Sequence, residues 1–168
     1  AIASDSGCFK YSNTSVQTMI TAARLLEYGF DHADVCLRLF DTVEEKVIRL
    51  HGNIMNNIRL YNRGKIGVVS TDENLLSEYG VSEKEAGNII GIPRSVKGVL
   101  VAAELKKRDG VIRVSLRSNC NINVAEVAVC FGGGGHERAA GASIDAVSME
   151  QAEKIVVDKI NEICFKEN

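Results

Sequence analysis

Residues 132–141 read Gly-Gly-Gly-Gly-His-Glu-Arg-Ala-Ala-Gly, and we interpret the rest of the chain outward from this stretch. Ordering four consecutive glycines costs much backbone entropy, so an ordered run is expected where a group approaches the main chain closely or where φ is positive. Its N–H groups can form a nest for an anion, with His136 as a further donor. A flexible linker is the alternative, but linker glycines are usually mixed with serine, whereas Phe131 and small residues flank this run.

The composition is that of an ordinary globular protein: 168 residues, 45% hydrophobic and 25% charged. The chain has no apolar run long enough to span a membrane and no signal-peptide pattern, so we expect a cytoplasmic protein without a membrane partner. A net charge of −2 argues against a protein that coats nucleic acid by charge alone. The five cysteines include no C-x-x-C pair, which favours free thiols over disulfides or a zinc site.

The first third of the chain has the apolar periodicity of helices. Capping-box spacing at Thr14 predicts a helix that ends at Gly29, and a second short helix is predicted from about Asp31 to Phe40. A third helix, the longest that we predict, runs from Thr42 to about Asn62.

After residue 63 the pattern changes to strands and short helices. Residues 66–70 form a predicted strand, and short helices begin at Asp72 and Ser82. Two β-rich runs, 99–105 and 111–117, flank an Asp-Gly pair and predict an antiparallel hairpin. A small strand near residues 142–144 and a final helix from Ser148 complete an α/β fold with a mixed sheet and flanking helices.

Alternation along the second run of the hairpin predicts which side chains share a face. Ile112, Val114 and Leu116 lie on one face, so the other face must carry Arg113, Ser115 and Arg117. The planar guanidinium of Arg117 suits bidentate contacts with a phosphate. Arg113 and Arg138 are interpreted as solvated side chains.

Two segments carry a resemblance to a known family. Ser115-Leu116-Arg117-Ser118, followed by residues 131–141, resembles the DHH-associated substrate-binding domain of the DHH-family phosphoesterases. At the front, Ser4-Asp5-Ser6-Gly7 with Tyr11 soon after resembles the last metal-binding motif of the catalytic domain, usually Thr-Asp-Thr-Gly, and serine keeps both hydroxyls. Within the family, the resemblance is best to the bacterial oligoribonuclease (nano-RNase) group, which also removes the 3′-phosphate from 3′-phosphoadenosine 5′-phosphate.

The resemblance implies a C-terminal fragment of such an enzyme. Residues 1–41 would be a mostly helical remnant of an α/β catalytic domain, residues 42–63 a connecting helix, and residues 64–168 the complete associated domain. The intact enzyme would use a two-metal centre, typically Mn²⁺, with Asp5 as one ligand. The chain has no Asp-His-His triplet, and Asp31-His32 is better explained by a helix cap at Asp31. We therefore expect this chain alone to be inactive and to bind metal weakly.

For the associated domain, the resemblance implies that Arg117 and His136 hold one end of a short nucleotide chain. The expected ligands are short single-stranded RNA or DNA, or a nucleotide bisphosphate. RecJ-like exonucleases, cyclic-dinucleotide phosphodiesterases and a non-catalytic nucleic-acid-binding module remain alternatives. A homodimer is compatible with the sequence. The predicted substrate contacts are Ser115, Arg117, Ser118, Gly132, Gly133, Gly134, Gly135 and His136.

Overall fold

Short helices make up most of residues 1–44 in the computed structural model, which describes residues 1–11 and 13–165. They are α1 (Ile2–Asp5), α2 (Val16–Leu26) and α3 (His32–Cys36), and α3 continues into a π-helical turn. Ser15 caps α2: its Oγ accepts a hydrogen bond from the Thr18 backbone N–H at 3.1 Å. The capping box therefore begins one residue later than the Thr14 that the sequence indicated.

Residues 45–165 form a second compact unit built on a six-stranded sheet. The strands are β1 (Arg59–Tyr61), β2 (Ile66–Asp72), β3 (Val101–Arg108), β4 (Val111–Ser118), β5 (Gly134–His136) and β6 (Ala139–Ile144). Their order in the sheet is β1-β2-β3-β4-β6-β5. β2 and β3 are parallel and every other neighbouring pair is antiparallel, so the sheet is mixed as predicted.

The described part of the second unit also contains the helices α4 (Glu45–Asn56), α5 (Glu73–Glu78), α6 (Glu83–Ala86), α7 (Gly91–Arg94), α8 (Val124–Val129) and α9 (Met149–Cys164). All but α4 and α9 are short, and α5, α6 and α7 make the crossover that a parallel β2–β3 pair requires. Within residues 1–11 and 13–165, no helix is both long and apolar enough to cross a membrane.

The helix predicted over residues 42–62 is shorter than the sequence suggested. It ends at Asn56, and Arg59–Tyr61 is a strand that pairs antiparallel with β2. Its buried side chains, Val47, Leu50 and Ile54, pack with Val69 of β2, so α4 belongs to the core of the second unit. The assignment of residues 1–41, 42–63 and 64–168 to parts of a longer enzyme stays a prediction.

The predicted hairpin is confirmed, with β3 and β4 paired from Val101↔Ser118 to Arg108↔Val111. Asp109 and Gly110 form its turn, with φ of +49° and +76°. Two positive φ values in a two-residue turn match the right-handed twist of the flanking strands, which explains the Asp-Gly pair.

The two faces of the sheet are covered unequally. One face packs against α8 and α9 and carries the main core, which includes Leu105, Leu116 and Ile160. On the other face, α4, α5 and α7 pack on β2 and β3 around Val69. The residues of β4, β6 and β5 on that second face are half-exposed or exposed. This arrangement leaves a half-face of the sheet accessible.

Glu104 lies on β3 at the boundary between the covered and accessible halves of the second face. It is 6% exposed, and its Oε1 has no hydrogen-bond partner among the described residues. The Lys106 ammonium is 3.9 Å away. Burial raises the pKa of the Glu104 carboxyl above its usual value, an effect that the positive charges of Lys106 and Arg117 only partly offset.

We expect Glu104→Gln to stabilise the protein at neutral pH. When a carboxyl has a higher pKa in the folded state, its contribution to stability is complete below the unfolded-state pKa and is lost as the pH rises through the folded-state pKa. The variant should therefore unfold at a higher temperature than the wild type at pH 7, with little difference at about pH 4. Thermal unfolding followed by circular dichroism at both pH values checks this, and a lower melting temperature at pH 7 would contradict it.

Candidate functional site

The accessible half-face brings together four of the eight residues that the sequence predicted as substrate contacts. We call it the open face and define it by register as Arg113, Ser115 and Arg117 of β4, Ala139, Gly141 and Ser143 of β6, and Gly134 and His136 of β5. Along each strand, side chains two residues apart share a face, so these residues form three rows across the sheet.

The first row, the Arg117 row, contains the two residues predicted to hold a ligand. Ala139 pairs with Arg117 on one side and with His136 on the other. Two inter-strand steps separate the Cα atoms of Arg117 and His136 by about 10 Å. Only the methyl group of Ala139 lies between them in the row, so the site has a flat floor between a cation and an imidazole.

The Arg117 guanidinium is available for an anion. The side chain is half-buried, and its one hydrogen bond in the described structure runs from Nη1 to the Leu116 carbonyl at 3.0 Å. No carboxylate forms a salt bridge with it within residues 1–11 and 13–165. Most of the five guanidinium N–H groups are thus free to bind a planar anion such as phosphate.

The second row, the Ser115 row, is lined by the smallest side chains. Ser115 pairs with Gly141, which pairs with Gly134. On the other side, Ser115 pairs with Glu104. One end of this row is therefore polar, at Glu104 and Ser115. The other end, at Gly141 of β6 and Gly134 of β5, has no side chains and exposes the backbone.

Ser118 does not belong to the open face. It lies on the opposite face of β4 and is 2% exposed. Its hydroxyl donates to the Cys120 carbonyl at 2.8 Å and accepts from the Cys120 N–H at 3.2 Å. The structure thus gives Ser118 a turn-forming role at the end of β4 and does not bring it together with Ser115 and Arg117.

The four glycines of the run have different surroundings. Gly132 has a φ of +71° just after α8, a conformation that L side chains rarely adopt. A Cβ on Gly133 would collide with the Gly141 carbonyl and with Ala142, and one on Gly135 would collide with Ala139 and Ala140. Gly134 differs, because a Cβ there would meet nothing within 4 Å. Packing therefore explains glycine at 133 and 135 but leaves Gly134 unexplained.

The turn that follows the glycine run is fixed to its neighbours. The Val124 N–H at the start of α8 donates to the Glu137 carbonyl at 2.8 Å. The Ser118 N–H donates to the Arg138 carbonyl at 3.1 Å, and the Arg138 guanidinium donates to Asn121 at 2.6 Å. These bonds hold the β5–β6 turn in place, which orients the adjacent His136.

The Ser4-Asp5-Ser6-Gly7 motif lies in the first unit, where Ser4 and Asp5 end α1 and Ser6 and Gly7 begin a tight turn. Ser6 Oγ donates to the Ile2 carbonyl at 2.7 Å and accepts from the Phe9 N–H at 3.0 Å. Gly7 has a φ of +56°, and the Tyr11 ring occupies the space where its Cβ would be. Asp5 itself is exposed. Packing between Gly7 and the Tyr11 ring thus explains why the motif has a glycine followed by an aromatic residue.

Asp5 alone does not fit a two-metal centre. Within residues 1–11 and 13–165, no three His, Cys, Asp or Glu side chains cluster in a way that could hold a metal ion. Asp31 is a helix cap, as the sequence indicated: its carboxylate accepts from the Asp34 N–H at 3.1 Å. The neighbouring His32 ring lies 3.5 Å from the Cys36 thiol. The described residues therefore offer one candidate ligand, not a complete centre.

A family model for the DHHA1 domain matches residues 64–164, which include the whole open face. The chain belongs to the DHHA1 domain family. The match covers more than half of the chain and confirms the family that the Ser-Leu-Arg-Ser and glycine–histidine motifs indicated.

Curated relatives extend the similarity to nearly the full chain. A bifunctional oligoribonuclease and PAP phosphatase NrnA from Thermus thermophilus is 30% identical over 161 residues, which is 96% of this chain and 48% of the relative. Its namesake from Bacillus subtilis is 30% identical over 157 residues, 94% of this chain and 49% of the relative. This chain thus spans about half the length of the curated relatives that it matches.

Solved structures agree with the fold. An exopolyphosphatase-related protein from Bacteroides fragilis has a TM-score of 0.87 at 24% identity, over 96% of this chain and 48% of its own. A pGpG-specific phosphodiesterase, PggH, from Vibrio cholerae has a TM-score of 0.59 at 17% identity, over 90% of this chain and 52% of its own. At these identities the likeness shows that the fold is shared.

Sequence analysis missed three features of this DHHA1 site. Glycine has low strand propensity, so β5 gave no strand signal. Ala139 and Gly141 are small residues in the sequence, but the place of Ala139 between Arg117 and His136, and of Gly141 between Ser115 and Gly134, depends on pairing between distant strands. Glu104 interrupts an otherwise apolar strand in the sequence, and that irregular position is the signal that could have identified it.

We expect Gly133→Ala to destabilise the protein and Gly134→Ala to leave its stability nearly unchanged. The methyl group at 133 meets backbone that cannot give way, so unfolding should become easier by about 2 kcal/mol. At 134 it enters open space, and stability should stay within about 0.5 kcal/mol of the wild type. Urea denaturation measures both variants, and equal destabilisation by the two changes would show that the described packing is wrong.

Proposed function

We propose that this chain is the substrate-binding part of a metal-dependent phosphoesterase that hydrolyses short oligonucleotides or 3′-phosphoadenosine 5′-phosphate. The observation that carries the proposal is the Arg117 guanidinium, which forms no salt bridge within the described residues and lies in one row with His136 beside a floor of glycine and alanine. Membership of the DHHA1 family and the printed activities of the curated relatives support the same substrate class.

In this proposal Arg117 binds a terminal phosphate and His136 donates to the same end of the ligand. Gly134 has no packing reason to lack a side chain, so we assign its bare backbone to close contact with the nucleotide. Ser115 lies in the same row as Gly134 and offers a hydroxyl to the ligand. The predicted roles of Gly132, Gly133 and Gly135 become structural: they shape the turn that presents Gly134 and His136.

Hydrolysis is assigned to the whole enzyme. A two-metal centre, with Mn²⁺ as the expected ion, would supply the nucleophile and stabilise the leaving oxygen, and Asp5 would be one of its ligands. The described residues offer no further ligands around Asp5, so we derive no catalytic step from this chain. A cytoplasmic location is also part of the proposal.

We call the proposed contacts of Arg117, Gly134 and His136 with one end of the ligand the clamp. Such a small binding site is consistent with the net charge of the protein. Strong binding of long nucleic acid normally uses many phosphate contacts and a basic surface. This chain has a net charge of −2, and an arginine, a histidine and exposed backbone concentrate the contacts in one place. Short ligands are therefore favoured over long ones. A substrate of one or a few nucleotides fits this site better than the long single strand that a RecJ-like exonuclease binds.

We expect Arg117→Ala to weaken binding of 3′-phosphoadenosine 5′-phosphate by about tenfold or more, since hydrogen bonds to charged groups contribute about 1.5–3 kcal/mol. His136→Ala should weaken it about fivefold, and Gly134→Ala should also reduce affinity without loss of stability. Isothermal titration calorimetry measures the dissociation constants. Lys107→Ala is the matched control, because Lys107 is exposed on the opposite face of neighbouring β3. Unchanged affinity in the Arg117 and His136 variants would refute the clamp.

We further expect the purified 168-residue chain to be inactive. Incubation with Mn²⁺ and the dinucleotide pApA, followed by chromatography of the products, should show no hydrolysis above the metal-only background, because Asp5 alone cannot hold two metal ions. Turnover comparable to that of a full-length relative assayed in parallel would contradict this expectation, while the binding measurements would still test the clamp.

A further inference from the structure

An arginine of α7 lies beside the Arg117 row. Arg94 is the last residue of α7, and its Nε donates to the side-chain carbonyl of Asn119 at 2.8 Å. We propose that Arg94 is a second guanidinium contact for the terminal phosphate that Arg117 binds, so that the clamp selects nucleotides that end in a phosphomonoester. The inference rests on the proposed function, because it takes Arg117 as the first contact for that phosphate.

The register of the hairpin places Asn119 on the same side of the sheet as Arg117. The Asn119 N–H donates to the Leu100 carbonyl at 2.9 Å, so the β3–β4 ladder continues one residue past Ser118. Alternation then puts the side chains of Arg117 and Asn119 on one face, with their Cα atoms about 7 Å apart. The Arg94 guanidinium, which is bonded to Asn119, therefore lies at the end of the open face nearest Arg117.

The packing of α7 agrees with this position. α7 lies on the same face of the sheet as the open face, where a Cβ on Gly67 of β2 would be only 3.2 Å from Pro93. The Asn119 amide nitrogen donates to the Arg94 carbonyl at 2.8 Å and to the Val99 carbonyl at 3.0 Å. Arg94 and Asn119 thus bind each other reciprocally, which restricts the guanidinium before a ligand arrives and lowers the entropy cost of binding.

The neutral asparagine partner leaves the positive charge of Arg94 in place. Within residues 1–11 and 13–165, no carboxylate forms a salt bridge with Arg94 or Arg117. The cations of neighbouring β3 differ, because Lys106 and Arg108 both form salt bridges with Glu83. Most of the five guanidinium N–H groups of Arg94 therefore remain available for an anion.

Two guanidinium groups suit a terminal phosphate better than an internal one. A terminal phosphomonoester carries a charge of about −1.5 to −2 at pH 7, whereas a phosphodiester carries a single negative charge. With Arg117 and Arg94 on its 5′-phosphate, a ligand keeps the phosphate to be hydrolysed outside the clamp. That phosphate is the internal phosphodiester of a short oligonucleotide, or the 3′-phosphate of 3′-phosphoadenosine 5′-phosphate. Both substrates of the proposed function thus share one binding mode.

Isothermal titration calorimetry of the 168-residue chain with pApA and ApA tests this assignment. The two dinucleotides differ only in the terminal 5′-phosphate. We expect the wild type to bind pApA about tenfold or more tightly than ApA. Arg94→Ala should reduce that preference about fivefold and leave the affinity for ApA unchanged. Asn119→Asp should also reduce the preference, because it keeps an acceptor for the Arg94 Nε but neutralises the guanidinium charge.

Arg113→Ala is the matched control, because Arg113 is an exposed arginine of the open face that lies two rows from Arg117. It should leave the preference for pApA unchanged, and thermal unfolding should show that the variants remain folded. The inference is overturned if Arg94→Ala keeps the full preference while Arg117→Ala loses it, or if Arg94→Ala weakens both dinucleotides equally. Failure of the wild type to bind either dinucleotide would instead refute the proposed function.

Discussion

The site depends on the close approach of the glycine run to β6. Gly133 lies against the backbone of Gly141 and Ala142 with no room for a side chain, and Gly135 lies equally close to Ala139 and Ala140. This contact holds β5 on the edge of the sheet. Since β6 pairs with β4 on its other side, the same contact fixes His136 in the row of Arg117. The geometry of the site is therefore set by backbone packing rather than by bonds between the functional side chains.

The helices cover the two faces of the sheet unequally, and this leaves the row of Arg117 and His136 accessible. One face is closed by α8 and α9, which bury the main core. The other face is closed only over β2 and β3, and Glu104 marks the boundary. A sheet with both faces covered would need apolar residues at positions 113, 115 and 117. The polar and small residues found there fit a surface that stays open to a ligand.

The sequence predicted the parts of the fold that depend on local patterns. Alternation along β4 identified the face of Arg117 correctly, and Asp109-Gly110 identified the hairpin, because both signals lie within a few residues. The predicted end of α4 was wrong, because apolar residues at helical spacing continue past the helix through Ile58 and Tyr61 into β1. The open face itself could not be predicted, because it depends on pairing of Arg117 with Ala139 and of Ala139 with His136. Ser118 is a different case: its motif suggested a ligand contact, but the alternation that places Ile112, Val114 and Leu116 on the core face also places Ser118 there, so its burial was predictable from the sequence.

The parallel pairing of β2 with β3 also bears on the order of folding. Paired residues such as Ile66 and Val101 are 35 positions apart, whereas the β3–β4 hairpin closes over two residues. Loop closure opposes distant pairing, so the hairpin can form in microseconds while β2 must wait for its crossover helices. The glycine strand at the edge has almost no side chains to bury and would join late. Changes in β5 should then act mainly on the unfolding rate and little on the folding rate.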